Sequence, residues 1–507
     1  MLLTERYKDQ IAGVIGCYDR IIIQGNLPGW CYAEGMTSFL YANNIRIFDY
    51  ASFAETMREE IRSNAERLAE ENGIEIEFIR KIKSFRKEER IKDILQIRGK
   101  QPGLVHIFSA MERCSSYKPW HDKTSGKTFL KNDPGQCLHY YFYFIDPEYG
   151  LCYLRVPTWA PFRLQFYTNG HNLLANKLHK QGIPVTQVEN TFLEIGDFEK
   201  AQALSDNIRV ENLHNACDIF AQRYCPVFQR YGLSYRWTVS QVEYATDIIF
   251  HKQADLQAIY EPLIRTAVHS VKPEHIASFL GQKLDVRYQG ECGNNFDTRI
   301  LGTRIKHHMG AVAIKMYDKL GIVLRIETTV NDLSQFKTFR EVQQRDGSKV
   351  LKMAPMKKSI YSLFPLTSIL QAANRRYLEF ISSLDDPSQG SKRLTKVSCT
   401  VKVSDRTYKG FNFFSPDDLT LFLVIARGEF CVTGLQNKHI RKYFPHKSAS
   451  AVSRMLRRLR AHGLIKKVKG VYKYYLTTLG KAAIATGLKV RETLVIPELA
   501  GLASTSY

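Results

Sequence analysis

The stretch Ser448–Thr478, SASAVSRMLRRLRAHGLIKKVKGVYKYYLTT, decides how the C-terminal part of the chain is read. Ser448 is a favourable N-cap and Gly463 a favourable residue just past a helix end. Between them Val452, Met455, Leu456 and Leu459 follow the spacing of one buried helical stripe. The opposite face carries Ser450, Ser453, Arg454, Arg457, Arg458 and Arg460. A Lys-studded hairpin follows, Leu464 to Val468 and Val471 to Leu476, turning at Lys469-Gly470. Upstream, Ser415-Pro416-Asp417-Asp418 caps an apolar helix from Leu419 to Ala426, and Leu435 to Phe444 predicts a second helix stopped by Pro445.

The order helix, helix, basic helix, hairpin, helix resembles the MarR-type winged-helix domains of transcription regulators over residues 411–487. The resemblance implies duplex DNA as partner. Ser450, Ser453, Arg454, Arg457 and Arg458 would enter the major groove, and Lys466, Lys467, Lys469 and Lys473 of the wing would follow phosphates. The alternative is a winged helix that binds protein, against which four arginines on one helix argue.

With 507 residues, 44% hydrophobic and 24% charged, the chain is ample for several packed domains. No apolar run reaches membrane-spanning length, and the first residues lack the pattern of a signal peptide, so a cytoplasmic protein with no membrane partner is expected. Ten cysteines without C-x-x-C or C-x-C spacing fit reduced thiols rather than a structural zinc site. The net charge of +22 is concentrated late in the chain. Residues 391–507 hold 22 Lys and Arg against 6 Asp and Glu, residues 299–376 hold 15 against 5, and residues 1–298 hold 35 against 36. Two separate basic blocks point to polyanion binding by the second half of the chain.

The expected fold class is α+β and multidomain, antiparallel sheets with helices plus a C-terminal winged helix-turn-helix. The expected divisions are an α+β domain at 1–197, a mainly helical segment at 198–298, a basic β-hairpin and helix region at 299–384, a linker at 385–410, the winged helix at 411–487 and a tail at 488–507. The linker rests on Asp385-Asp386-Pro387-Ser388-Gln389-Gly390. In the first domain, residues 11–23 read as buried strand interrupted by Asp19. That carboxylate is either a nuclease ligand or a structural group satisfied by Arg20 or a backbone amide. Helices are expected at Ala33–Tyr41, Ala51–Asn72 and Asn172–Gln181. The antiparallel sheet around Asp146-Pro147-Glu148-Tyr149 carries Tyr140, Tyr141, Tyr143, Tyr153, Trp159 and Tyr167, as core or as a base-stacking surface. Ser240–His251 reads as a helix placing Glu243 and Asp247 on one face, a spacing that suits a shared divalent ion and equally a solvated surface.

Residues 299–331, RILGTRIKHHMGAVAIKMYDKLGIVLRIETTVN, predict a β-hairpin turning at Asp318-Lys319-Leu320-Gly321, with Arg325 and Glu327 on one face. Arg304, Lys306, His307, His308 and Lys315 make it a candidate phosphate-binding element. Residues 311–331 resemble a hairpin of rolling-circle replication initiators, which implies metal-assisted cleavage by a tyrosine. The H-x-H metal motif of those families does not occur in this sequence. Asp318 and Glu327, with Asp19 or Glu291, are the candidate catalytic ligands for Mg²⁺ or Mn²⁺. Across its length the chain looks like prokaryotic proteins of similar size whose regulator label rests on the C-terminal part.

These features support a prokaryotic mobile-element or phage protein binding duplex DNA through its winged helix. A second segment, DNA or a structured, guide-like RNA in a ribonucleoprotein, would lie on the central basic region. The alternatives are a metal-dependent nuclease or replication/transposition nickase, and a MarR-like regulator.

Overall fold

The structure, a computed structural model, describes residues 2–80, 85–282, 290–299, 302–384 and 388–502. It divides into two compact units, Met1–Asp385 and Asp386–Tyr507, each mixing helices with antiparallel sheet. Among the described residues no helix is long and apolar enough to cross a membrane.

The first unit opens with α1 (Leu3–Arg6) and the long strand β1 (Ile11–Asn26), whose Ile21-Ile22-Ile23 run suits a sheet centre. Helices α2 (Ala33–Ala42) and α3 (Tyr50–Glu71), strand β2 (Ile76–Phe78) and helix α4 (Lys87–Arg98) lead to β3 (Gly103–Cys114). The hairpin β4 (Tyr117–Asp122) and β5 (Lys127–Asn132) precedes β6 (Gly135–Asp146), β7 (Gly150–Pro157) and β8 (Leu164–Thr168). Then come α5 (Gly170–Lys180), the ribbon β9 (Val185–Val188) and β10 (Thr191–Ile195), α6 (Phe198–Asp206), α7 (Val210–Tyr224) and β11 (Arg236–Phe250). Helices α8 (Gln253–Ser270) and α9 (Pro273–Phe279) are followed by strands β12 (Cys292–Arg299), β13 (Gly302–Met309), β14 (Val312–Lys319) and β15 (Val323–Val330). A ribbon of β16 (Lys337–Gln343) and β17 (Lys349–Pro355) and the helix α10 (Leu363–Leu384) complete the unit.

One eleven-stranded sheet runs through it, in the order β12-β13-β14-β15-β11-β1-β8-β7-β6-β3-β2. This corrects the divisions expected at 197/198 and 298/299, because β1, β11 and β15 from the three segments are adjacent, and pairing between distant segments leaves no local signal. Ser240–His251 is also corrected. It lies almost wholly in β11, whose β-branched and aromatic residues pair with β1 from Ile11↔Phe250 to Asn26↔Arg236. Because side chains in a strand alternate, Glu243 and Asp247 still share a face.

One sheet face packs on α10. Tyr18 donates from its hydroxyl to Leu363 O at 2.8 Å, and Leu363, Leu366, Leu370 and Tyr377 are buried. Asn374 ties this helix to two strands, its Nδ2 donating to Tyr244 O and Ile326 O at 3.1 Å while its Oδ1 accepts from Thr328 at 2.6 Å. The opposite face is covered by α5 and α6 around Ile15 and Cys17, and by α4 around Phe108, Tyr141 and Tyr143. Between those apolar patches it is polar.

In the second unit the expected linker is instead structured. Helix α11 (Ser388–Ser398) and a ribbon of β18 (Val401–Val403) and β19 (Arg406–Tyr408) occupy it, and Val397 is buried in this unit's core. The turn-rich signal covered only its first six residues, and the remainder packs. Helices α12 (Pro416–Ile425), α13 (Gly428–Thr433), α14 (Asn437–Arg441) and α15 (Ala449–Ala461) follow. A short ribbon of β20 (Ile465–Lys467) and β21 (Tyr474–Leu476), then α16 (Thr478–Val490) and α17 (Ile496–Leu502), complete it. The helix expected over Leu435–Phe444 is thus shorter, α13 was not anticipated, and the expected tail is largely helical. Ser448 Oγ accepts from Ala451 N at 3.2 Å, Gly463 takes φ +73°, and Val452, Leu456 and Leu459 are buried.

All four tryptophans lie in the first unit, so their fluorescence reports its unfolding alone. Asn374→Ala is expected to lower that unit's stability in urea by about 1–3 kcal/mol, because buried partners lose their hydrogen bonds.

Candidate functional site

The polar part of the sheet face holds a buried cluster built from four adjacent strands. Cross-strand register places His308, Ala313, Thr329, Glu243 and Arg20 in one row. The next row holds Lys306, Lys315, Glu327 and Ala245. Asp19 joins them through a β-bulge. Tyr18 pairs with Tyr244 and Arg20 with Glu243, so Asp19 is the extra residue of β1 and turns toward the carboxylates of β11 and β15. One carboxylate oxygen from each of Asp19, Glu243 and Glu327 lies within 4.8 Å of the others, the sole such group of metal-capable side chains among the described residues.

Each carboxylate has its own set of partners, with Lys315 shared by two of them. Lys315 Nζ lies 2.6 Å from Glu327 Oε1 and 3.1 Å from Glu243 Oε1, and Arg20 Nε is 3.4 Å from Glu243 Oε2. Tyr317 donates to Glu327 Oε2 at 2.6 Å. Asp19 Oδ1 faces Asn190 Nδ2 at 2.7 Å, His171 Nδ1 at 3.1 Å and Arg325 Nη1 at 3.5 Å. The structural partners expected for Asp19, Arg20 or a backbone amide, are therefore not those that hold it. Gly170 makes the His171 contact possible: a Cβ there would lie 2.1 Å from Tyr18 O, so only glycine lets the start of α5 approach β1 this closely.

In the next row of the same face Arg325 is fully buried. Its Nε and Nη2 each lie 2.7 Å from Asp247, and Nη2 also donates to Asn190 O. His171 Nε2 is 3.4 Å from Asp247 Oδ2. Burial opposes ionisation of Asp19, but the His171 hydrogen bond and the Arg325 guanidinium hold its carboxyl well below the usual range. Burial likewise opposes the charge on Asp247, and Arg325 and His171 overcome it. For Lys315, burial is outweighed by Glu327 and Glu243, so the ammonium stays charged. Tyr317 is pushed the other way, burial and Glu327 raising its phenol far above the usual value.

The other residues singled out by sequence separate clearly. Asp318 does not join the site. It alternates with Tyr317 to the opposite side, and its carboxylate caps the hairpin turn by accepting from Gly321 N at 2.8 Å. Glu291 is exposed beside the edge strand β12, three strands from β15. His307 turns into the core, its ring nitrogens meeting Asn294 Oδ1 at 2.8 Å and Tyr377 at 3.0 Å, which removes it from any phosphate-binding set. Lys315 is committed to the carboxylates rather than to solvent. Lys306 lies opposite Lys315, and Arg304 and His308 alternate with it on the same face. His171 and Asn190 were not anticipated; the signal available for His171 was the Asn169-Gly170 cap before a helix.

In the second unit Ser450, Arg454, Arg457, Lys466, Lys467 and Lys469 are exposed, and Lys473 is half-buried. Arg458 is not part of that surface. Its guanidinium lies 2.7 and 2.9 Å from the two Asp418 oxygens, donates to Lys409 O, and sits 3.9 Å over the Phe411 ring. Ser453 is half-buried and accepts from Asn437 at 2.9 Å. Helical periodicity placed both correctly on the polar face, but could not show that α12 and α14 cover part of it.

Asp247→Asn is expected to destabilise the first unit by about 3–5 kcal/mol at neutral pH by leaving Arg325 uncompensated. Because the folded-state pKa of Asp247 is depressed, its contribution is present above about pH 4 and disappears as pH falls through the folded value. Wild type and variant should therefore converge in acid, as read by tryptophan-detected urea unfolding; a pH-independent gap would show that the carboxylate is not the ionised partner. No protein-family model matches the chain, and comparisons with curated proteins and with solved structures find no match to it.

Proposed function

We propose that the protein is a nucleic-acid-acting phosphodiesterase or strand-transfer enzyme. Its first unit would hold Mg²⁺ or Mn²⁺ at Asp19, Glu243 and Glu327, and its second unit would grip duplex DNA as a winged helix. The observation that carries this reading is the convergence of three carboxylates from three strands on a sheet face rich in basic groups. A hard divalent cation prefers such oxygen donors, and when bound it would activate water and stabilise charge on a phosphoryl group. Lys315 is placed to neutralise or protonate an oxygen next to those carboxylates. Arg20, half-exposed beside Glu243, is placed to hold a neighbouring phosphate. Tyr317 serves best as a fixed donor to Glu327; its raised pKa argues against a tyrosinate nucleophile.

In the second unit, the exposed Ser450, Arg454, Arg457 and wing lysines support a groove-entering helix with flanking phosphate contacts. The buried cluster favours the enzyme over a regulator, because a DNA-binding unit alone does not account for it. A binding-only protein holding a structured RNA on the first unit remains the competing reading.

Incubating full-length protein with labelled single-stranded and duplex DNA and RNA tests this. Cleavage or transfer is expected with Mg²⁺ or Mn²⁺, none with chelator, and none with Glu327→Gln or Asp19→Asn. Intact substrate under every condition overturns the enzyme, and a discrete RNA retained through purification would then support the binding reading. In duplex titrations, Arg454→Ala with Arg457→Ala should weaken affinity and flatten the log–log salt slope by about 2, near 0.9 per phosphate lost. Arg458→Ala should instead destabilise the second unit by about 3 kcal/mol, because it strands Asp418, as read by a circular-dichroism melt.

A further inference from the structure

A polar cavity opens on the same sheet face as the carboxylate cluster. Its volume is about 190 Å³, and Arg113, Arg155 and Arg163 line it with His139, Gln24 and Gln165. No carboxylate lines it. Arg155 is neutralised from beneath by Glu112, 2.6 Å from its Nη2. Arg163 donates from Nη2 to Cys31 O at 2.8 Å, whereas its buried Nε has no hydrogen-bond partner. A buried guanidinium N–H without an acceptor carries the full cost of its lost hydration, and a ligand oxygen would remove that cost. Burial and the neighbouring Arg155 also push the His139 imidazole down to about 4, as expected in a positive environment.

Register connects this cavity to the carboxylate cluster. Arg20, Ile22 and Gln24 follow one another on the same side of β1, Gln24 is opposite Gln165, and Gln165 is opposite Arg155. At about 3.4 Å per residue along a strand and 4.8 Å between strands, Arg155 lies roughly 17 Å from Arg20. Tyr167 and Tyr153 lie between them, stacked with ring centroids 5.0 Å apart. We infer that the cavity is a phosphodiester-binding subsite for the strand whose reacting phosphate lies at Asp19, Glu243 and Glu327. The strand crosses the sheet face between the two sites, so the substrate is single-stranded over that interval, about five nucleotides at a stacked rise of 3.4 Å. This inference rests on the reading of the first unit as one that acts on nucleic acid.

The test uses the full-length protein in the Arg454→Ala/Arg457→Ala background, which weakens the second unit's contribution. Chelator suppresses cleavage. A labelled single-stranded oligonucleotide of about 12 nucleotides, within the range such sites cover, is titrated by fluorescence anisotropy at several salt concentrations. Adding Arg163→Gln is expected to weaken binding about tenfold, the loss of a charge-assisted hydrogen bond. It should also lower the salt slope by about 0.7, one phosphate's worth for a single strand. Arg113→Gln, at an exposed position that does not endanger folding, should act in the same direction. Unchanged affinity in both variants overturns the inference. So does an effect confined to inorganic phosphate as competitor, which would make the cavity a free-anion site. Loss of strand binding without metal-dependent cleavage would uphold the subsite while removing the catalytic reading, and the reverse result would do the opposite.

Discussion

The buried guanidinium of Arg325 is the constraint on which the centre of the first unit depends. An uncompensated cation in that position would cost several kcal/mol, so every group around it must be in place. Asp247 on β11 takes two of its N–H groups, Asn190 supplies a carbonyl from the β9–β10 turn, and Asp19 on β1 lies against the third nitrogen. His171 at the start of α5 spans the two aspartates. One side chain thereby ties together three sheet strands, a ribbon and a helix, and together with His171 holds Asp19 ionised.

The carboxylates in the neighbouring rows pose the opposite problem. Two unit charges about 4 Å apart repel by about 4 kcal/mol at an effective dielectric of 20, so Asp19, Glu243 and Glu327 would not stay together unaided. Lys315 touches two of them and Arg20 a third side of the group, at distances where attraction exceeds that repulsion. The Arg325 row is closed by its own counter-ions, while the carboxylate rows are held by two long cations, Lys315 and the half-exposed Arg20. That difference separates a fold-stabilising ion network from one able to exchange a lysine contact for a ligand.

In the second unit the same chemistry serves two purposes on one helix. Arg454 and Arg457 extend into solvent, while Arg458 is consumed by Asp418 and the Phe411 ring. Positive charge on a helix is therefore not a measure of binding surface until its neighbours are known. His307 and Lys315 make the same point in the first unit, since both sit in a basic stretch and neither faces solvent as a free cation.

The sequence by itself determined the local elements and the disposition of charge. Caps and periodicity were enough for α3, α5, α12 and α15. The hairpin of β14 and β15 and the strands flanking Asp146 also followed from turn residues and alternation, because all of these are set by neighbours a few positions apart. Asp19 and Glu327 were legible as unusual carboxylates in apolar strands. Tertiary structure alone decided that β1, β11 and β15 lie side by side, that a bulge turns Asp19 toward Glu243, and that Lys315 and His171 complete the arrangement. The sheet contacts depend on pairing between segments far apart in the chain, more than two hundred residues for β1 with β11 and at least 74 for β11 with β15, and strand composition specifies a preference for pairing but not the partner. The Glu243–Asp247 pair shows the limit most clearly. Its spacing suits one face of a helix and one face of a strand equally, and only the register against β1 and β15 set the two carboxylates in separate rows of that face, Glu243 beside the candidate metal ligands and Asp247 opposite Arg325.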